Sequence, residues 1–148
     1  MPGAPEVLIV DDDESMRLLL ARLLEDGGYR VACAQGGAEA IDALRFAAPP
    51  DLVVLDLLMP AVSGWDVLHF MDEQPRLATV PVVVLTSYEE GGEAPASRPV
   101  LHKPVEAELL RALVGEILRQ GRGGLGSEES PGDLLPRPWR RRVRPWLV

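Results

Sequence analysis

At residues 50–64 the chain has the sequence PDLVVLDLLMPAVSG. The apolar run 52–55 lacks polar alternation, which is typical of a parallel strand covered on both faces. The run ends at the carboxylate Asp56, and Pro60 and Gly64 then mark a loop before a helical pattern. Reaction sites in open parallel α/β sheets lie outside the carboxyl ends of the strands. Asp56 therefore stands where chemistry is expected, and the alternative is an Asp that caps the next turn.

Strand and helix patterns alternate along residues 6–120. Predicted strands lie at residues 6–10, 29–34, 52–55, 80–85 and 99–102, and predicted helices at 15–26, 37–47, 64–74 and 105–120. This alternation predicts a parallel sheet with right-handed crossovers and helices on both faces. The second strand is the least apolar, and we expect it at an edge of the sheet. In the first helix the residues expected to face the core are Met16, Leu19, Leu20, Leu23 and Leu24.

The connection between the fourth and fifth strands interrupts the alternation. Residues 88–98 contain two glycines and a proline and show no apolar periodicity. Glycine and proline disfavour a regular helix. We therefore predict a loop with at most one helical turn, so that the fourth helix of the pattern is eroded or absent.

The composition indicates an acidic domain followed by a basic tail. The chain has 148 residues, 47% of them apolar, which suits one domain. Residues 1–120 hold 20 acidic and 9 basic residues, a net charge of −11, whereas residues 121–148 hold 3 acidic and 6 basic residues, a net charge of +3. An acidic main part argues against nucleic-acid binding by this domain.

The sequence also bounds the cellular context. Its one cysteine, Cys33, excludes an internal disulfide and a thiolate metal cluster, and we expect it to be a small core residue. Residues 1–5 have neither the basic region nor the apolar core of a signal peptide. No apolar run approaches the length of a membrane span. We expect a cytoplasmic protein.

Polar residues that follow the strands form a candidate site. They are Asp11, Asp12 and Asp13 after the first strand, Asp56 after the third, Thr86 and Ser87 after the fourth, and Lys103 after the fifth. Carboxylates about 4 Å apart repel by about 4 kcal/mol per pair at an effective dielectric constant near 20, so this cluster requires a cation. Oxygen ligands without His or Cys favour Mg²⁺ before Ca²⁺. A hydroxyl and the only lysine of the chain opposite the metal would complete a site for a phosphoryl group.

The motifs of this site resemble those of the receiver domains of two-component response regulators, including single-domain regulators of the chemotaxis type. The matching segments are Val10-Asp11-Asp12-Asp13, the Asp56 stretch, Leu85-Thr86-Ser87 and Lys103-Pro104, in the order of the family. The resemblance covers residues 6 to about 120. It implies a flavodoxin-like, doubly wound sheet of five parallel strands in the order 2-1-3-4-5. It also implies a receiver domain at residues 1–120.

The resemblance implies a Mg²⁺ site. Asp12 would be a direct ligand and Asp11 would act largely through water. Asp56 and the backbone carbonyl of Leu58 would be further ligands. For Asp13, which matches a third acidic position of the family, helix capping and a functional role both stay open.

The resemblance likewise implies a phosphorylation site. Asp56 would be the phosphoacceptor, attacking a phosphohistidine of a sensor histidine kinase or phosphotransfer protein. Thr86 would bond a phosphoryl oxygen and shift on phosphorylation. Lys103 would pair with the phosphate. The implied protein is a phosphorylation switch that acts on a downstream protein target, with phosphotransfer and dephosphorylation of itself as its only catalysis.

Three features depart from the family pattern. The family usually has an aromatic residue three positions before the lysine, where this chain has Val100. The segment 88–98 is shorter than the family pattern suggests. Many receivers use the face formed by this segment to dimerise or to contact output partners. How this chain transmits its signal therefore stays open, and a homodimer is one option. Leu58 and Tyr88 flank the expected path of attacking water, and their apolar bulk predicts slow loss of phosphate.

The tail consists of two parts. Residues 121–132 are rich in Gly, Ser and Glu and predict a flexible linker. Residues 134–148 combine arginine, proline and tryptophan, which suits a disordered tail, a nucleic acid, an acidic partner or an anionic surface. The segment could instead fold back on the acidic domain or swap onto a neighbour. It is too short for a DNA-binding domain.

Two other functions compete with the switch. One is a receiver-like interaction module that binds partners independently of phosphorylation. The other is a Mg²⁺-dependent phosphatase of small molecules. The intact acidic cluster with Thr86 and Lys103 argues against the first, and the lack of a second acid–base residue or a substrate-binding cap argues against the second.

Overall fold

The sheet and its helices follow the alternation that the sequence predicts. The computed structural model describes residues 3–87 and 98–123. Its strands are β1 (Glu6–Val10), β2 (Arg30–Ala34), β3 (Leu52–Asp56), β4 (Val82–Thr86) and β5 (Val100–His102). Its helices are α1 (Glu14–Asp26), α2 (Gly37–Phe46), α3 (Gly64–Glu73) and α4 (Ala107–Gly123). The strands pair in parallel in the order β2-β1-β3-β4-β5, which confirms the predicted flavodoxin-like topology with β2 at an edge.

The central strands are apolar because they are covered on both faces. Every residue of β3 and β4 is buried. One core cluster joins the sheet to α1 and α4, and a second cluster joins the opposite face to α2 and α3. The register sets Val10 opposite Leu55 and Asp56 opposite Leu85, so the carboxyl ends of β1, β3 and β4 lie at one edge.

Local polar contacts begin the helices that flank this edge. The Asp13 carboxylate accepts a hydrogen bond from the Met16 amide and caps α1, in agreement with the capping role considered for it. Ser63 and Asp66 form a capping box at the start of α3. Both helices therefore begin directly beside the strand ends that carry the candidate site.

Two predicted core residues lie at the surface instead. Leu19 is 64% exposed, because α1 packs on the sheet through Leu20 and Leu24, one turn apart, and position 19 is turned away from this stripe. Cys33 is exposed, because β2 is an edge strand that has a neighbour on one side only. Both predictions were wrong. The predictions assumed that more of the surface of α1 and of β2 is buried than the structure shows.

Some predicted boundaries of strands and helices shift by a few residues in the structure, and other predictions concern residues that the structure does not describe. The second strand begins at Arg30, one residue later than predicted, and α4 ends at Gly123, three residues later than predicted. The expected loss of a helix within 88–98 and the expected linker and tail mostly lie outside the described residues. Among the described residues, no helix has the length and apolar content that a bilayer crossing requires.

Candidate functional site

Three aspartates from two strand ends meet at the carboxyl edge of the sheet. Asp11 directly follows β1 and is fully buried, Asp56 ends β3 and is 3% exposed, and Asp12 is exposed. Carboxylate oxygens of these three residues all lie within 4.8 Å of one another. The structure thus brings together the acidic residues that the sequence singled out. Three hard oxygen donors, one of them open to solvent, could hold a divalent cation of the Mg²⁺ type.

Lys103 lies against both buried carboxylates. Its Nζ is 3.0 Å from Oδ2 of Asp11 and 3.4 Å from Oδ2 of Asp56. Its backbone amide donates to the carbonyl of Thr86 at 2.8 Å, and its peptide bond to Pro104 is cis. Burial lowers the pKa of the Lys103 ammonium, but the hydrogen bond to Asp11 and the carboxylate charges outweigh burial and raise that pKa. Lys103 is therefore a cation directed into the site.

The pKa of the Asp56 carboxyl group differs from its ordinary value. The pKa of its carboxyl group is raised from 3.8 to about 6, first by burial and then by the negative charge of Asp11. The Lys103 charge and the Leu58 amide lower the pKa, but they do not balance burial and Asp11. One lysine facing two buried carboxylates leaves the site short of positive charge. A bound cation would stabilise the ionised form of Asp56.

The backbone of Asp11 is held by a residue that the sequence did not single out. Oδ1 of Asp11 accepts from the Asp13 amide at 2.9 Å, and Nη1 of Arg17 donates to the Asp11 carbonyl at 2.9 Å. Arg17 lies in the first turns of α1, so its side chain reaches back to the end of β1. The position of Arg17, soon after the acidic cluster, could have indicated that its side chain contacts this segment. The hydrogen bond to the Asp11 carbonyl depends on the direction in which α1 leaves β1.

The loop after β3 determines the surroundings of Asp56. The Leu58 amide donates to Oδ1 of Asp56 at 3.2 Å, and the Leu58 side chain is 42% exposed. Gly64 begins α3 directly against this loop, and a Cβ atom there would lie 2.4 Å from the Asp56 carbonyl oxygen. Glycine at position 64 therefore permits the close approach of α3 to the strand end.

The remaining predicted residues lie on the two strands beside Asp56. Thr86 ends β4, is fully buried and is paired with His102 in the sheet. Val100 opens β5, is 1% exposed and is paired with Val84. The χ1 angle of a β-branched side chain is restricted. Val100 packs in the core cluster on the face of the sheet that α2 and α3 cover.

Known proteins resemble this chain over most of its length. The model of the response regulator receiver domain matches residues 7–115. The chain is 31% identical over 137 residues to the transcriptional regulatory protein AfsQ1 of Streptomyces coelicolor, an alignment that covers 88% of the chain. It is 28% identical over 117 residues to protein PilH of Pseudomonas aeruginosa, covering 76% of the chain and 96% of PilH. This chain belongs to the family of response regulator receiver domains.

A solved structure supports the same conclusion. The chemotaxis protein CheY4 of Vibrio cholerae has a TM-score of 0.67 and 26% identity, covering 78% of this chain and 99% of that protein. The chain spans 59% of the length of AfsQ1, so what the whole of AfsQ1 does is not carried over. Proteins of this family are phosphoacceptor switches of two-component signalling and not classical enzymes.

We predict that Gly64→Ala destabilises the protein and displaces the loop of Asp56. The added Cβ would meet backbone atoms, which cannot rotate away, and overpacking of this kind costs about 1–3 kcal/mol. Urea unfolding measures the change in free energy. The matched control is Gly36→Ala, because no heavy atom lies within 4 Å of a Cβ there and its φ of 179° is extended. Equal stability of the Gly64 variant and wild type would contradict the close approach.

We further predict that Asp56→Asn stabilises the metal-free protein at neutral pH. The pKa of Asp56 is about 6 in the folded chain against a usual 3.8, so protonation favours folding and this contribution is lost as pH rises through 6. Replacing the charge should raise the unfolding free energy in EDTA at pH 7.5 by up to about 3 kcal/mol. The difference should shrink as pH falls below 6 and vanish only well below the unfolded-state pKa of 3.8, where Asp56 is neutral in both states.

The matched control for this experiment is Asp12→Asn, at the exposed member of the cluster. Its free energy of unfolding should change less, because Asp12 keeps its hydration. A wild type more stable than Asp56→Asn in EDTA at pH 7.5 would contradict the electrostatic description of the site.

Proposed function

We propose that this protein is a cytoplasmic phosphorylation switch that accepts a phosphoryl group on Asp56 from a phosphohistidine. The donor would be a sensor histidine kinase or a phosphotransfer protein, and the switch would control binding to a downstream protein target. The observation that carries the proposal is the position of Asp56. Its buried carboxylate lies 3.4 Å from Lys103 and within 4.8 Å of Asp11 and Asp12.

Asp11, Asp12 and Asp56 would hold Mg²⁺, together with the backbone carbonyl of Leu58. The donor set fits this ion, because all its atoms are oxygens and Asp12 is open to solvent. When bound, Mg²⁺ would neutralise negative charge on the carboxylates and on the phosphoryl oxygens. The raised pKa of Asp56 is consistent with a site that lacks one positive charge.

In the reaction, an Asp56 oxygen would attack phosphorus. The new bond joins that oxygen to phosphorus, the bond between phosphorus and the histidine nitrogen breaks, and the imidazole leaves with the bonding pair. Lys103 would pair with a phosphoryl oxygen, because its ammonium already lies between the two buried carboxylates. The Thr86 hydroxyl, at the end of the neighbouring strand, would donate a hydrogen bond to another phosphoryl oxygen.

Phosphorylation would then act as an electrostatic switch. The phosphate adds about −1.5 to −2 charges at pH 7 to a site that is already acidic. Such a charge shifts a pre-existing equilibrium between two conformations toward the form that binds the partner. Since Val100 is buried at the position of the usual aromatic residue, we propose that transmission depends on Thr86 and the adjoining loop.

A second candidate is a receiver-like module that binds partners without phosphorylation. Buried Val100 favours it, because the rotamer change expected of an aromatic residue has no counterpart there. The complete set of Asp11, Asp12, Asp56 and Lys103 argues against it, because a module without phosphate chemistry has no use for buried carboxylates that lower its stability.

We predict that phosphoramidate with Mg²⁺ adds one phosphate to the wild type and none to Asp56→Ala. EDTA should abolish the reaction. Lys103→Met should slow it by about 10²-fold, the usual cost of removing one group that stabilises the transition-state charge. Intact-mass spectrometry over time measures the fraction phosphorylated.

The matched control is Asp51→Ala. Asp51 is an exposed carboxylate just before β3, at the opposite end of the strand from Asp56. Its loss should leave phosphorylation unchanged. No adduct in the wild type with Mg²⁺ bound would refute the phosphoacceptor proposal and favour the binding module.

We also predict that Leu58→Asn shortens the lifetime of the phosphorylated form. Leu58 is partly exposed beside the Asp56 carboxylate, and an apolar side chain cannot orient attacking water. A hydrogen bond from an amide is worth about 1 kcal/mol, which corresponds to roughly five- to tenfold in rate. The decay of phosphorylated protein after removal of the donor measures the lifetime.

Leu58→Ala separates water orientation from bulk. If orientation governs the rate, the alanine variant should keep a lifetime close to that of the wild type. A Leu58→Asn variant with an unchanged lifetime would show that residue 58 does not control access of water.

A further inference from the structure

Every polar group of Asp11 has a hydrogen-bond partner, and one partner is a side chain of α1. The Asp11 amide donates to the Ala34 carbonyl of β2 at 3.3 Å. Its two carboxylate oxygens accept from the Asp13 amide and from Nζ of Lys103. Its backbone carbonyl accepts from Nη1 of Arg17 at 2.9 Å. The position of this carbonyl therefore depends on a residue four positions into α1.

The Asp11 carbonyl lies just beyond the paired part of β1. The pairing of β1 with β2 ends at Val10 and Ala34, and the pairing of β1 with β3 ends at Val10 and Leu55. Asp11 is nevertheless fully buried, and a buried carbonyl requires a donor. The guanidinium of Arg17 supplies this hydrogen bond at the point where strand pairing has ended.

The same carbonyl belongs to the peptide group that joins Asp11 to Asp12. A peptide group is planar, so a hydrogen bond that restricts the direction of its C=O also restricts the nitrogen and Cα of Asp12. Within residues 3–87 and 98–123, no hydrogen bond or ion pair holds the Asp12 carboxylate, and Asp12 is exposed. The direction of that carboxylate therefore depends on its backbone.

We propose that Arg17 is a positioning residue for the cation site and acts through the peptide between Asp11 and Asp12. This inference rests on the proposed function in so far as that function includes a cation held by the aspartates, whose carboxylate oxygens lie within 4.8 Å of one another. Arg17 holds Asp12 in the direction that the site requires before the cation enters. Groups that orient metal ligands in this way contribute to metal affinity without touching the metal.

The positive charge of Arg17 by itself would have the opposite effect on the cation. Its guanidinium lies beside the acidic segment and repels a second cation bound there. The neighbouring charges are the exposed carboxylates of Asp13 and Glu14 and the ammonium of Lys103, and a substitution at position 17 keeps all three. Loss of the charge should therefore raise the cation affinity, whereas loss of the hydrogen bond should lower it. The direction of the change separates the two effects.

The test is titration of the metal-free, full-length protein with Mn²⁺, followed by the electron paramagnetic resonance signal of the free ion. Mn²⁺ suits the same oxygen ligands as Mg²⁺, and competition by added Mg²⁺ gives the affinity for that ion. Arg17→Met should weaken the binding of both ions by about 10- to 100-fold, the usual effect of removing a group that orients a metal ligand. The titration requires no phosphodonor, so it measures the cation site independently of phosphotransfer.

Rescue and control variants distinguish the hydrogen bond from the charge. Arg17→Lys keeps a charged donor and should recover part of the lost affinity. Arg22→Met is the matched control, because Arg22 is an exposed arginine five residues further along α1. Its loss should not weaken binding. Arg17→Gln, whose side chain is shorter and uncharged, should weaken binding as well and serves as the test if Arg17→Met does not fold.

The carbonyl signal of Asp11 provides a readout that does not involve a cation. The ¹³C chemical shift of a carbonyl group depends on the hydrogen bond that it accepts. In the metal-free protein, this shift should change in Arg17→Met, return toward the wild-type value in Arg17→Lys and stay unchanged in Arg22→Met. Urea unfolding shows which variants are folded under the conditions of the titration.

Three results would overturn the inference. Binding by Arg17→Met, or by Arg17→Gln in its place, that is as tight as in the wild type or tighter would leave the proposed function intact and remove the role of Arg17. An equal loss of affinity in Arg22→Met would show that the hydrogen bond is not the cause. Absence of Mn²⁺ and Mg²⁺ binding in the wild type would overturn both the inference and the cation site of the proposed function.

Discussion

The structure depends on the burial of two carboxylates beside one lysine at the carboxyl edge of the sheet. Asp11 and Asp56 are almost without solvent contact, and Lys103 lies 3.0 and 3.4 Å from them. One positive charge does not compensate two buried negative charges, and the raised pKa of Asp56 is the consequence. The fold thus maintains an acidic site that costs stability without a cation, as functional sites commonly do.

The parallel sheet is what makes this arrangement possible. Each of the three groups belongs to a different strand or strand end, and level register brings them to one edge. Apolar helices on both faces exclude water from the strands, so the charges interact in a medium less polarisable than water. Gly64 and Arg17 then set the two loops that carry the aspartates.

The edge strand β5 carries a small core residue two positions before the end of the strand. Val100 is buried opposite Val84, and Thr86 pairs with His102 two positions further along the strands. The packing at position 100 and the charges around Asp56 are therefore separate features of the structure.

The sequence by itself determined the order of strands and helices and the residues of the site. Apolar runs define strands locally, and polar residues at their ends must meet once the strands are parallel, so Asp11, Asp56 and Lys103 were predictable. The family resemblance added the strand order. Tertiary structure decided which side chains are covered: Leu19 and Cys33 are exposed because a helix buries a narrow stripe and an edge strand lacks a neighbour. Such contacts depend on how elements pack against one another, and local periodicity does not contain that information.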